Sequence, residues 1–455
     1  MKDYNIDKLS REEIFSGRLI PAMRQFLSVQ GVESRKYNYN DDIAIITHYL
    51  QNKGFPEEKQ YSEKAIPLLE SYYRATHTQL EADAPVDIAA AESLFSEINI
   101  SPVNNRFKGN NSFTFVDLFA GIGGFRIALE QLGGRCVYAS EFDKSAQKTY
   151  GMNHGVVPFG DITLQVNKEF IPDNIDILCA GFPCQPFSMA GLRRGFADET
   201  KGTLFYDLRD IIEAKRPRII LLENVQGLLS IHNKDNNGNS LPEKTIDTIL
   251  HILKDELHYY VPNPEVLNAK NFGVPQNRNR VFIVGFADTD SLGEFHYPTG
   301  EGNKEIRFGA IRERGMVSTK YYMSNKYWNT LVRHKEVQHN MGRGYGYRII
   351  GDDDLGHTLM VGGMGLERNL IVDKANPNIN SIEDPRGELN HDYIRVLTER
   401  ECARMQGFPE YFEILNGRTP WYKQFGNSVA IPVVRAVTKA LLHYVGIPYY
   451  LIEEQ

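Results

Sequence analysis

Six short apolar runs, near Phe113, Cys136, Ile175, Ile219, Val261 and Val281, alternate with stretches of helical periodicity such as Thr203 to Lys215 and Pro242 to Leu257. Strands too apolar to keep a wet face, separated by helix-length segments, have few solutions other than a parallel sheet covered by helices on both sides. The expected fold is therefore α/β, a doubly wound, mostly parallel, Rossmann-like sheet. In such a sheet ligands lie beyond the carboxyl ends of the strands. Gly121, Glu141, Asp161, Cys184 and Glu223 all fall on that edge in this reading.

The first of these positions follows a buried-strand pattern, Phe113 to Leu118. It sits in the turn Phe119-Ala120-Gly121-Ile122-Gly123-Gly124, which opens a helical pattern from Phe125 to Leu132. Glycine lets the backbone approach a ligand closely, although a purely structural bend uses it as well. About 20 residues on stands Glu141, placed as a carboxylate for a ribose diol would be. The spacing is G-x-G-G rather than G-x-G-x-x-G, which favours an adenosine-containing cofactor other than a nicotinamide dinucleotide. Cys184 lies in Gly181-Phe182-Pro183-Cys184-Gln185-Pro186-Phe187-Ser188, directly after the third apolar run. Prolines on both sides fix φ, and Gln185 and Ser188 keep the thiol near solvent, a setting for a nucleophile. A cysteine on its own reads equally as a small buried hydrophobe.

Taken in order, Asp117 to Gly124, Gly160-Asp161-Ile162-Thr163, Gly181 to Pro186 and Glu223-Asn224-Val225 resemble the blocks of the cytosine-5 DNA methyltransferases. Gln276-Asn277-Arg278-Asn279-Arg280, Arg400 to Pro409 and Gln424 to Val429 continue the series. The resemblance runs from about Phe113 to Val445. It implies S-adenosyl-L-methionine as methyl donor, S-adenosyl-L-homocysteine as product and double-stranded DNA as partner. Phe119, Gly121, Ile122, Gly123 and Gly124 would line the methionine side and Glu141 the ribose. Asp161 and Ile162 would meet the adenine, with Pro183, Leu204, Asn427 and Ser428 closing the pocket.

The same resemblance implies that Cys184 adds to C6 of cytosine, that Glu223 acts at N3 and the exocyclic amine, that Arg280 binds the O2 edge, and that Arg278 positions the site. A duplex hides C5 and C6, so the target base must be flipped out. Ser188 is expected on DNA, as is Arg193, which lies within a loop, Met189 to Thr203, that would close over it. Without the family order, Glu223 reads also as a helix N-terminal carboxylate, Asp161 as a turn cap, and the arginine pair as solvated ion pairs.

Length and a hydrophobic content of 42% over 455 residues allow two or three domains. The expected division is a helical extension over 1–111, a catalytic domain over 112–287 and 393–455, and a target-recognition domain over 288–392 between them. The extension shows amphipathic patterns at Arg11 to Val29, Asp41 to Lys53 and Ser62 to Arg74, which suit either a DNA- or partner-binding module or a stabilising cap. A net charge of -7 argues mildly against a polyanionic partner, yet Lys304 to Arg348 interleaves basic and aromatic residues as a groove reader does. A solvated domain with a minor aromatic core would show the same composition. Arg343 and Arg368 are the candidates for guanine readout. The loops Gly342 to Tyr347 and Gly362 to Arg368, which carry them, look like the recognition segments of enzymes that modify a cytosine within short C-rich palindromes with a variable or A/T centre, such as CCWGG.

Four cysteines without a C-x-x-C pair predict neither metal nor disulfide. Absent a signal-like N-terminus or an apolar run of about 18 residues, a cytoplasmic protein is expected. A monomer, possession of a cognate restriction endonuclease and no membrane partner complete the expectation. An RNA cytosine-5 methyltransferase and a bifunctional methyltransferase that also represses a promoter are the alternatives.

Overall fold

The computed structural model describes residues 39–77, 79–81, 84–98, 112–183, 204–234, 239–288, 293–344, 346–361, 366–375, 384–415 and 418–450. The helical pattern from Arg11 to Val29 lies outside them. Two compact units are present, one of Met1–Glu265, Val281–His296 and Thr438–Gln455, the other of Val266–Arg280 and Tyr297–Val437. This grouping follows packing, whereas the division expected from sequence follows motif order.

The first unit is built on strands β1 (Phe113–Leu118), β2 (Gly134–Ser140), β3 (Ile177–Ala180) and β4 (Ile219–Val225). Two short strands, β5 (His232–Lys234) and β6 (Ser240–Lys244), form an antiparallel pair of their own. The main sheet has six strands in the order β2-β1-β3-β4-β9-β7, with β7 at Glu265–Asn268 and β9 at Asn279–Phe286; the short strand β8 (Gln276–Asn277) between them in sequence is not part of it. β1 runs parallel to β2 and β3, and β3 parallel to β4, as the apolar runs require. Ile219 to Leu222 are fully buried, and each such side chain contributes about 1.5–3 kcal/mol of transfer free energy. The stretch Trp421–Tyr444 is apolar and long enough to cross a bilayer by composition, but Trp421, Phe425, Val434, Val437, Leu441 and Leu442 are buried as in a core helix.

Two segments differ from the sequence reading. The polar stretch Ser230 to Leu241, expected as a surface loop, contributes to the β5–β6 pair. Pro242 to Leu257, expected as one helix, begins as β6. It becomes helical only at Thr245–His251 and then widens into a π-helical turn at Ile252–Glu256. Pro242 tolerates the end strand of a two-stranded pair, where its missing N–H costs nothing.

Ahead of the sheet come helices α1 (Tyr39–Asn52), α2 (Glu58–Thr76) and α3 (Ile88–Ile98). In α2 the buried residues Tyr61, Ala65, Leu69 and Tyr72 recur at helical spacing, so one stripe faces inward. α1 is buried along Asp42 to Tyr49 because it lies against β2, the edge strand of the sheet. The register of β1 with β2 skips one residue: Phe115 pairs with Cys136, but Val116 pairs with Tyr138. The bulge leaves Val137 outside the ladder, and a buried carbonyl needs a donor. Asn52 Nδ2 supplies one at 3.1 Å and Tyr61 Oη another at 2.7 Å. Gln51 Nε2 donates to the Cys136 carbonyl, and the Ala139 N–H donates to His48 Nε2 at 3.1 Å. Arg135 answers from the strand, donating to Asn52 Oδ1 and Glu57 Oε2. The described part of the N-terminal extension thus finishes the sheet edge rather than standing apart as a module.

The second unit holds together through buried charge. Arg395, fully buried, donates to both oxygens of Glu401 at 2.8 and 2.9 Å and to Asp373 Oδ2 at 2.5 Å. Arg312 and Arg314 share Asp352, whose carboxyl these two guanidinium groups hold below its ordinary range. Tyr321, Tyr322 and Trp328 are buried. Much of the basic and aromatic stretch is therefore a core in its own right, while Lys326, Arg333, Lys335 and Arg343 stay exposed.

Candidate active site

β1 ends in a turn that only an unusual backbone can make. Phe119, Gly121 and Gly123 have φ of 55°, 57° and 89°, in the left-handed region. Gly123 precedes helix α4 (Gly124–Glu130), and a Cβ there would lie 2.1 Å from Nε2 of the buried His154. A Cβ at Gly121 would meet nothing within 4 Å, so that face of the loop is open. The Gly121 N–H donates to Glu141 Oε2 at 2.8 Å and the Asp143 N–H to Oε1 at 2.7 Å, which ties the turn to the end of β2. Burial pushes the Glu141 carboxyl up, and these two N–H groups oppose that shift. Each oxygen retains a lone pair for a further donor such as a ribose hydroxyl.

Phe142, next in sequence, is 73% exposed, a ring with no part in the core. It was missed in the sequence, where an aromatic residue directly after a strand-end acid is the available signal. Asp143 caps helix α5 (Lys144–His154) through Ser145 and Ala146. Asp161 follows the bridge between Ser140 and Phe159, and its Oδ1 accepts from the Thr163 N–H and hydroxyl at 3.0 and 2.8 Å, so it does cap a turn. Ile162 beside it is buried.

β3 delivers Gly181, Phe182 and Pro183 to the same edge. A Cβ on Gly181 would stand 3.9 Å from Glu223 Oε2, so the chain three residues before Cys184 runs close beside that carboxylate. Glu223 is buried within β4, not at a helix start. Its neighbour Asn224 donates from Nδ2 to the Phe182 carbonyl at 2.8 Å, a positioning contact absent from the sequence reading. Pro183 is exposed, and Leu204 opens helix α6 (Leu204–Lys215) half-buried. Cys184, Ser188 and Arg193, with the loop from Met189 to Thr203, lie outside the described residues.

In the second unit Arg278 is buried and donates to the carbonyls of Leu359, Gly426 and Ser428 at 3.3, 3.1 and 2.6 Å. It fastens the paired-arginine segment to the helix end that carries Asn427, which is exposed, and Ser428, which is buried. Arg280, two residues on, is only partly buried, with one Nη donating to the Asn279 carbonyl. Arg343 is exposed and Arg368 half-buried. Lys335, Tyr347, Arg348 and His357 line a cleft of about 500 Å³. Among the described residues no cluster of three or more metal-ligating side chains occurs.

A family model described as C-5 cytosine-specific DNA methylase matches residues 113–443. The chain belongs to that family. It is a DNA cytosine-5 methyltransferase of α/β fold. This methylase is 50% identical over 334 residues to the Type II methyltransferase M.HpaII of Haemophilus parainfluenzae, covering 73% of the chain and 90% of that protein. It is 37% identical over 334 residues to M.HhaI of Haemophilus parahaemolyticus, covering 71% and 92%. Among solved structures, the S. pombe Dnmt2 methyltransferase aligns at a TM-score of 0.54 and 19% identity, covering 73% of the methylase and 99% of that chain. The match begins at residue 113, so the methylase carries its N-terminal helices outside the family region.

Proposed function

We propose that this methylase transfers a methyl group from S-adenosyl-L-methionine to C5 of a flipped-out cytosine in a short duplex sequence, as the modification partner of a Type II restriction system. The observation that carries the reading is the shared strand edge. There the open face of Gly121, the Glu141 carboxylate, the exposed Phe142 ring and the Gly181–Glu223 approach come from consecutive βα crossings. These residues fit the donor. Gly121 leaves room for its methionine part, Glu141 has lone pairs for the ribose, and Phe142 with Ile162 offers apolar surface to the adenine. When bound, S-adenosyl-L-methionine supplies the electrophilic methyl.

The chain's own residues make the cytosine a nucleophile. The Cys184 thiolate forms a bond to C6, and the electrons of the C5–C6 double bond become available at C5. Glu223 holds a proton at N3 as charge moves into the ring, and Arg280 stabilises the O2 edge. After methylation the C5 proton leaves and the Cys184–C6 bond breaks, which restores aromaticity. Arg278, locked to three carbonyls, keeps Arg280 in register. Arg343 and Arg368, with the exposed bases along Asn325–Asn340, suit contact with the duplex.

The test is methyl transfer from labelled donor to mixed-sequence duplex DNA beside Cys184→Ser, with converted cytosines mapped by bisulfite sequencing. Label at C5 within one short motif, lost in the variant, is the expected result. Transfer to RNA in preference to duplex DNA, or undiminished transfer by Cys184→Ser, would overturn the reading.

A further inference from the structure

Arg126 stands in the first turn of α4, three residues after Gly123, and is buried. Its guanidinium is held on three sides: Nε donates to Glu130 Oε1 at 2.7 Å, Nη1 to Tyr150 Oη at 3.3 Å, and Nη2 to Gln51 Oε1 at 2.8 Å. Glu130 lies on the same helix and Tyr150 on α5, whose last residue His154 sits beneath Gly123. Gln51 alone comes from the N-terminal extension, and its amide is used twice, since Nε2 donates to the Cys136 carbonyl of β2. One side chain therefore joins α1, the edge strand and the first turn of α4.

We propose that Gln51 is a positioning residue for the methyl donor. Through Arg126 it fixes the start of α4 and so the glycine turn of residues 119–124 that faces the donor. The inference rests on reading that turn as the donor site. A buried guanidinium deprived of one acceptor must either shift toward another or leave a donor unsatisfied. Arg126 has little freedom to shift, because Glu130 lies on its own helix and Tyr150 on a helix packed against it. The strain then falls on the first turn of α4, and with it on the left-handed turn at Gly123.

The experiment compares wild type, Gln51→Met, Gln51→Glu and Asn52→Ala in the full chain, by calorimetric titration with S-adenosyl-L-homocysteine, duplex binding by anisotropy, and thermal midpoint. Gln51→Met should weaken binding of the nucleoside by about ten- to a hundredfold, the range that loss of one hydrogen bond to a charged group spans. Duplex affinity should stay within about twofold, since no duplex contact is touched. Gln51→Glu still accepts from Arg126 and should bind within about twofold of wild type, although it no longer donates to Cys136. Asn52→Ala, which removes a neighbouring bond to β2 without touching Arg126, should lower the thermal midpoint and leave nucleoside affinity alone. Should Gln51→Met fail to fold, Gln51→Asn, one methylene short of Arg126, carries the same expectation. Unchanged nucleoside affinity in the folded variant would overturn the inference, as would an equal loss in Asn52→Ala or in Gln51→Glu. Folded wild type that binds no nucleoside at all would instead defeat the donor-site reading beneath it.

Discussion

Gly121 and Gly123 share a left-handed backbone and differ in what surrounds them, so alanine at each separates donor space from structural space. Any residue with a Cβ in that region costs about 1–2 kcal/mol. At Gly123 the new methyl would also stand 2.1 Å from His154 Nε2 and 2.9 Å from Cδ2, and the ring is buried on α5 with little room to retreat. Overpacking of that kind adds about 1–3 kcal/mol. Gly123→Ala should therefore lose roughly 2–5 kcal/mol of unfolding free energy and Gly121→Ala roughly 1–2. Urea titration followed by intrinsic fluorescence measures both. Gly121→Ala places its methyl on the open face, where nothing stands within 4 Å, so beyond that backbone cost its effect should appear in the affinity for S-adenosyl-L-homocysteine. In the double variant Gly123→Ala/His154→Ala the clash is gone, and the coupling between the two changes should be favourable by about 1–3 kcal/mol. Equal destabilisation at the two glycines, or coupling near zero, would refute the claim that His154 is what the second glycine makes room for.

Arg278→Met should cost about 3–5 kcal/mol of stability, since it strips donors from three carbonyls, whereas Arg280→Met should keep the urea midpoint and lower single-turnover methyl transfer. The reverse pattern would exchange their roles. His48 gives a pH-dependent signature, because burial holds its imidazole down at about 3 while Nε2 accepts from Ala139 and Nδ1 faces the Ala44 carbonyl. The unfolded imidazole takes up its proton near 6.5, so between the two values the unfolded state binds more protons. The contribution is complete above pH 6.5 and is lost as pH falls toward 3, at about 1.4 kcal/mol per pH unit. His48→Gln should flatten that acid limb in denaturation curves taken from pH 7 to 4, and an unchanged slope would contradict the assignment.

What could be read in advance was whatever a short window encodes. A buried strand, a glycine turn and a helix start within 20 residues declare themselves, because hydrophobic period and left-handed φ are local properties. The order of further motifs then pointed to the family. The uses of the N-terminal helices were not readable in this way. His48, Gln51, Asn52 and Tyr61 bond to backbone atoms of β2 some 76 to 91 positions away, and a backbone partner leaves no trace in residue type. Arg278 and Arg280 show the same limit: the alternation of a strand would give them one fate, yet a break between the short strand Gln276–Asn277 and β9 buries the first and leaves the second accessible. Within the basic and aromatic stretch, composition cannot tell an arginine open to solvent, such as Arg343, from Arg312 and Arg314, which are held by Asp352. The glycine turn is thus local in sequence and non-local in support. Its shape is written in residues 119–124, while Glu141, His154, Arg126 and, from outside the family region, Gln51 hold it. Substitution of Gln51 should accordingly be felt at the glycine turn through Arg126, the residue it bonds.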